Sequence, residues 1–213
     1  MNNFDLHTPT RILFGKGAIE KLREQIPAEA RVLITYGGGS VKKTGVLDQV
    51  LTALNGLDVL EFGGIEPNPS YETLMNAVKL AREEKVTFLL AVGGGSVLDG
   101  TKFIAAAAHY DADIDPWEIL ETYGSKIASA IPMGSVLTLP ATGSESNKGA
   151  VISRKTTGDK RAFMSSHVQP QFAILDPVYT YTLPPRQVAN GVVDAFVHTV
   201  EQYVTYPCLL YTS

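Results

Sequence analysis

One cysteine (Cys208), one tryptophan and no long apolar run are the first things to note in this 213-residue sequence. A lone cysteine closes no intramolecular disulfide, so the chain is not a small scaffold stapled by its own disulfides. No stretch approaches the roughly 20 apolar residues that span a bilayer. Met1-Asn2-Asn3-Phe4-Asp5 lacks the basic and apolar regions of a signal peptide. Neither sign of charge dominates: 18 Lys and Arg against 22 Asp and Glu leave a net charge of −4, with the signs interspersed and no basic stripe for nucleic acid. The expectation is a cytoplasmic protein with a small-molecule ligand, no membrane role and no nucleic-acid partner.

What the chain does have is 45% hydrophobic residues arranged with order. Short runs rich in Val, Ile and Leu alternate with amphipathic stretches, the pattern of an α/β protein whose parallel strands are covered by helices on both faces. Strands are expected at residues 11–14, 32–36, 59–62, 87–92, 136–139 and 172–175. Ser70 is placed to cap a helix running to about Glu84, with Leu74, Ala77, Val78 and Ala81 as its buried stripe. Pro184-Pro185 breaks the chain, so a first domain is expected over 1–183 and a helical segment from 184.

Gly37-Gly38-Gly39-Ser40 follows the second strand and precedes an amphipathic segment from about Val41. Glycines let a ligand approach the backbone, and the helix behind them turns free amides and a positive dipole end toward an anion. A plain β-to-α turn explains the same residues. Gly93-Gly94-Gly95-Ser96-Val97-Leu98-Asp99 is sharper: an apolar strand enters three glycines, then a Ser read as the N-cap and an Asp read in the first helical turn. Three glycines cost entropy to order, and a pyrophosphate pressed against them would account for all three. Asp99 suits the helix dipole with or without a ligand. The spacing differs from the common dinucleotide fingerprint, so a relative of that fold is expected.

Thr138 to Asn147 gathers Thr142, Ser144 and Asn147 around Gly143, either as donors to phosphate, ribose or carboxamide or as an ordinary exposed loop. Residues 151–154 and 160–163 flank Thr156-Thr157-Gly158-Asp159 as a hairpin, leaving Lys160 as a ligand contact or a solvated tip. From Gly191 to Glu201 a helical stretch sets Asp194 and His198 one turn apart on one face. Such a pair can grip one divalent ion, with Glu201 in support, or merely pair on a helix surface. The apolar neighbours Val193, Ala195, Phe196 and Val197 predict a helix buried on most sides, where ionisable groups need a reason.

In this order, Gly93 to Asp99, Thr142 to Glu145, Asp176-Pro177 and Asp194-x-x-x-His198 resemble the iron-containing, metal-dependent (group III) alcohol dehydrogenase family, from Met1 to about Thr205. Residues 35–40 and 68–85 are most similar to its broad-specificity NADPH-dependent aldehyde reductases. The resemblance implies a doubly wound, dehydroquinate synthase-like dinucleotide-binding domain over 1–183, a helical metal-binding domain beginning at 184–205, and a homodimer when full length. It implies that Gly94, Gly95 and Ser96 hold the pyrophosphate and that Asp99 lies near the nicotinamide half. Thr138, Thr142, Asn147 and Lys160 would contact ribose, phosphate or carboxamide, while Tyr179 and Leu183 would border the adenosine end. Asp194 and His198 would ligate the metal, zinc in preference to iron, together with two histidines of the helical domain.

An enzyme that selects NADH usually offers a carboxylate to the adenine ribose after an early strand. Gly37, Gly38, Gly39 and Ser40 stand there instead, with Lys42 or Lys43 near enough to supply positive charge to a ribose phosphate. NADP(H) is therefore expected, with hydride passing between its nicotinamide and an aldehyde polarised by the metal. Residues 206–213 depart from the family's pattern, so a truncated chain without a complete metal site, and inactive as such, is expected. The rival readings are a glycerol dehydrogenase-like NAD enzyme and a non-catalytic nucleotide-binding fragment.

Overall fold

In the computed structural model, residues 7–205 are described; the expected divergent tail at 206–213, with Cys208, lies outside the described residues. The elements in chain order are β1 (Arg11–Phe14), β2 (Arg31–Tyr36), α1 (Ser40–Lys43), α2 (Val46–Ala53), β3 (Asp58–Phe62), α3 (Tyr71–Glu83), β4 (Phe88–Gly94), α4 (Gly95–His109), α5 (Glu118–Glu121), β5 (Met133–Leu139), β6 (Gly149–Arg154), β7 (Asp159–Met164), β8 (Phe172–Leu175) and α6 (Pro185–Thr205). Six strands form one sheet in the order β1-β8-β5-β4-β2-β3, with every pairing parallel. The pair β6 and β7 forms the expected hairpin, in register from Gly149↔Met164 to Arg154↔Asp159.

Side chains alternate across the sheet as the pleat requires. Leu33, Leu89 and Ala91 pack with α3 and α4 on one face, and Val32, Ile34, Leu90 and Val92 pack with α2 on the other. Both faces are thus covered, which is why β4 reads as an unbroken apolar run. Ser70 caps α3 by accepting the Thr73 amide, and Leu74, Ala77, Val78 and Ala81 are its buried residues.

Three local expectations need correction. The segment after Ser40 is two short helices, because Gly45 between them sits at a φ of 73°, a left-handed geometry that interrupts a helix. Ser96 is not the N-cap: the strand carries Gly93 and Gly94, Gly94 caps, and Ser96 and Asp99 fall inside α4, Asp99 in its second turn. The largest correction concerns α6, which has no buried residue; Phe196 is 68% exposed and Val192 66%. Its apolar spacing reports a helix correctly but does not supply a surface for it to pack against. Pro184 and Pro185 do start it: the Pro184 carbonyl accepts the Gln187 and Val188 amides, and Pro185 occupies the first position, where its missing N–H is not needed.

Candidate nucleotide and metal site

The chain leaves β2 outward to β3, then returns to β4 on the other flank of β2. The helices that follow β2 and β4 therefore lie on opposite faces, and a crevice opens at the carboxyl ends of these two neighbours. Both glycine turns sit there, Gly37–Ser40 after β2 and Gly93–Ser96 at the end of β4, with Tyr36 and Val92 paired in register.

At the β4 turn, α4 starts with no side-chain cap and no acidic residue in its first turn. Amides left without such partners, at the positive end of a 15-residue helix, are suited to an anion. Two of the three glycines also have packing reasons that the sequence did not disclose. A Cβ at Gly93 would meet Val97 Cγ2 at 2.7 Å, and one at Gly95 would meet Thr142 Oγ1 at 2.6 Å. Neither has a positive φ, so what they provide is room for close neighbours rather than a special turn.

Beside the β2 turn, Tyr36 donates to Glu61 at 3.0 Å, and Lys42 Nζ lies 3.6 Å from the same carboxylate and 4.9 Å from the Tyr36 ring centroid. An acid does therefore stand near this turn, on the neighbouring strand β3. Sequence reading overlooked it because it considered only residues 37–40. Lys42 already faces Glu61 and a ring, so of the two lysines Lys43 is the one with no ion-pair partner among the described residues.

The loop after β5 brings Thr142, Ser144 and Asn147 to α4; Ser144 is buried against it, and the exposed Asn147 directs its side-chain oxygen toward it. Ser144 donates to Asp99 Oδ1 at 2.7 Å, and Asp99 Oδ2 accepts the Val151 amide at 2.9 Å, so both oxygens of Asp99 are engaged within the protein. The Asn147 carbonyl accepts from Lys102 at 2.9 Å and from the Gly149 amide at 3.0 Å. Thr138 is half-buried near the end of β5 and Thr142 is exposed.

Lys160 is neither an unpartnered tip nor buried: its ammonium donates to Asn68 Oδ1 at 2.8 Å. Asn68 holds a left-handed φ of 57° and gives its amide to Ser96 Oγ at 3.3 Å, linking the hairpin to the first turn of α4. Besides Glu61, Lys102 and Asn68 are site residues that the sequence reading did not point to. For Lys102 a signal existed: it stands alone among apolar and small residues from Gly100 to Ala108, on a helix that is buried nearly all round.

The hairpin is fastened to α3. Glu72 accepts the Lys155 and Thr156 amides, and Lys155 Nζ meets Glu66 at 2.7 Å. Burial pushes the Glu66 carboxyl up, but hydrogen bonds from Lys155, Thr73 and Ser70 outweigh it and hold the group at about 2.

Tyr179 is buried and its hydroxyl reaches Gln49 at 3.1 Å, while burial and Asp176 push its proton loss up to about 12. Asp176 caps two turns at once, accepting the Val178 amide at 2.9 Å and the Gly17 amide at 2.7 Å, which accounts structurally for the Asp-Pro pair. Leu183 and Asp194 line a cleft of ≈ 530 Å³ between the end of β5 and α6.

Asp194 Oδ1 and His198 Nε2 stand 3.6 Å apart on successive turns of α6, with side chains 53% and 62% exposed. Their types and spacing fit a divalent ion. Among the described residues, no group of three or more His, Cys, Asp or Glu comes together to hold one. No described helix is long and apolar enough to cross a membrane.

The family model described as iron-containing alcohol dehydrogenase matches residues 9–177. The NADPH-dependent aldehyde reductase YqhD of Escherichia coli is 86% identical over 97% of this chain and 54% of its own length. Its solved structure superposes with a TM-score of 0.93, over 97% of this chain and 53% of that one. The NADH-dependent butanol dehydrogenase A of Thermotoga maritima is 42% identical, with a TM-score of 0.87 over 94% of this chain and 51% of its own. The chain spans about half the length of the relatives it matches.

Proposed function

The chain belongs to the iron-containing alcohol dehydrogenase family, and from that premise we propose that it binds NADP(H) in the crevice between β2 and β4, as the nucleotide half of an alcohol dehydrogenase acting as an aldehyde reductase. The observation that carries this reading is the placement of both glycine turns at the carboxyl ends of adjacent strands where the chain reverses direction across the sheet. In this reading Gly94, Gly95 and Ser96 receive the pyrophosphate at the start of α4. Thr138, Thr142 and Lys160 border the central and nicotinamide portions, and Tyr179 and Leu183 border the adenosine. Asp99 and Asn147, whose side-chain oxygens are engaged within the protein, shape the loop beside the nicotinamide half.

The relatives' names divide between NADPH and NADH, so the preference must come from the β2 turn itself. Gly37 to Ser40 carry no charge to repel a ribose phosphate, Glu61 is offset by Lys42, and Lys43 lies next to them.

Residues 7–183 form the nucleotide domain in this reading, and α6 opens the metal-binding part. Asp194 and His198 would hold zinc in preference to iron(II), both of which accept mixed carboxylate and imidazole ligands. When bound, the ion would supply Lewis-acid polarisation of an aldehyde oxygen. Asp194 would present it at the cleft beside Leu139 and Pro140, with His198 one turn further along α6, while the β5 loop would keep the nicotinamide side of that cleft shaped. Two protein ligands leave an ion mostly to water, so turnover is expected only where further ligands complete the site.

The reading is tested by titrating the chain with NADPH and NADH and following quenching of its single tryptophan. NADPH should bind more tightly, and Lys43→Ala should narrow the difference. Equal affinities unaffected by that change would remove the NADP preference, and no binding of either would remove the nucleotide site.

A further inference from the structure

We infer that Lys102 is a positioning residue, whose buried ammonium ties the 140–149 loop to α4 and thereby sets the wall against which the nicotinamide half of a bound cofactor would lie. The role rests on the nucleotide-binding reading above, but its geometry belongs to the chain itself.

Lys102 is 0% exposed. A cation so placed is strongly penalised unless its protons are received by well-placed acceptors. Three acceptors are in place, all from one segment: Ser144 Oγ at 2.8 Å, Asn147 Oδ1 at 2.9 Å and the Gly149 carbonyl at 2.8 Å. A lysine needed only to fill space would be better replaced by methionine or leucine; one with all three protons directed into a single loop organises that loop.

Asp99, one turn earlier on α4, completes the arrangement. Ser144 receives from Lys102 and donates to Asp99, so acid and base share one hydroxyl, while the second oxygen of Asp99 takes the Val151 amide at the start of β6. One turn of α4 thus fastens both the loop and the strand that follows it.

The consequence reaches the amino end of the helix. The Ser144 amide donates to Thr142 Oγ1 at 3.2 Å, and Thr142 lies where a Cβ on Gly95 would be 2.6 Å from that same oxygen. The line from Lys102 through Ser144 to Thr142 therefore ends over the first turn of α4, the turn assigned above to the pyrophosphate. Burial pushes the Lys102 ammonium down to about 8, with Asp99 and Glu145 opposing that shift, so the group remains mostly charged at neutral pH.

The test uses the 213-residue chain with two ligands, NADPH and 2′,5′-ADP, the latter lacking the nicotinamide half, measured by calorimetry. Amide hydrogen exchange is followed at Val151. In Lys102→Met, NADPH affinity should fall about tenfold while 2′,5′-ADP, which keeps one phosphate at that turn but has no nicotinamide half, should lose no more than about threefold, and exchange at Val151 should quicken. Ser144→Ala, which removes only the shared hydroxyl, should change both readouts in the same direction by less, and it carries the test if Lys102→Met does not fold. Parallel losses for both ligands, or no loss with Val151 exchange unchanged, would overturn the inference. If the unaltered chain binds neither ligand, the nucleotide reading falls. The tie between α4 and the loop is then judged on exchange alone: unchanged exchange overturns it and quickened exchange upholds it.

Discussion

Two helices each carry an acid and a base of the candidate site, and the two pairs differ in nearly every physical respect. In α4, Lys102 is fully buried with all three ammonium protons taken up, and the half-buried Asp99 has both carboxylate oxygens bonded to protein partners. In α6, Asp194 and His198 face each other at 3.6 Å with more than half of each side chain exposed. Similar residue pairs on successive turns thus do opposite things. Where burial makes an unmatched charge expensive, the pair dictates the shape of its surroundings; where water solvates it, the pair is available to a ligand and dictates little.

The sharpest way to break this contrast is to remove one charge from each helix. Lys102→Met should cost about 3 kcal/mol or more in urea unfolding, because Ser144, Asn147 and Gly149 lose their shared donor inside the protein. His198→Ala should change stability by less than about 0.5 kcal/mol, as exposed substitutions do. Comparable losses would mean that burial is not what separates the helices.

A smaller effect comes from glycine. Gly95→Ala forces a methyl toward Thr142 and should destabilise by about 1–3 kcal/mol while weakening NADPH binding. Gly191→Ala, with open space around it inside α6, should stabilise by about 0.5–1 kcal/mol in thermal unfolding.

Proton linkage sharpens the comparison further. The folded-state proton loss of Lys102 near 8 lies below its ordinary 10.5, so between pH 8 and 10 the unfolded chain holds more protons there. Stability attributable to Lys102 should then rise with pH across that window and be flat below it. The difference between the unaltered chain and Lys102→Met reads this directly, and a fall over the same window would show that its hydrogen bonds outweigh burial.

The smallest expected effect is that of zinc on the chain: weak binding by calorimetry, abolished in Asp194→Ala, with little change in the unfolding midpoint. Tight binding unaffected by that substitution would place the metal elsewhere.

Much of this was legible in the sequence, for physical reasons that differ by region. The inner sheet strands were readable because a strand covered on both faces is apolar nearly throughout, as β4 is, the exposed edge strands β1 and β3 by shorter apolar runs, and the start of α3 because Ser70 carries its own cap. The Asp194 helix was readable as a helix, but its burial was not, since periodicity specifies a face and not a partner for it. Asp99 was found as a residue but placed one turn too early, and its partner was not legible, because the Val151 amide that it accepts comes from 52 residues away. Lys102 escaped notice because lysine is normally a surface residue, and only the helix's apolar surroundings argued otherwise. Asn68 and Glu61 reach the site through chain reversals that no local pattern announces.

The hairpin that carries Lys160 has one more consequence. Arg154, at the end of β6, lies 5.2 Å over the ring of Trp117 and 4.8 Å over that of Tyr71, and it reaches Asp115 at 3.0 Å. Trp117 is the sole tryptophan of the chain and is buried. Its emission is therefore a built-in optical gauge of hairpin seating: any opening of the arm that lifts Arg154 from the indole changes both the charge above the ring and its access to water. The protein thus carries its own reporter for the movement that would release Lys160 from Asn68, with no dye or label attached.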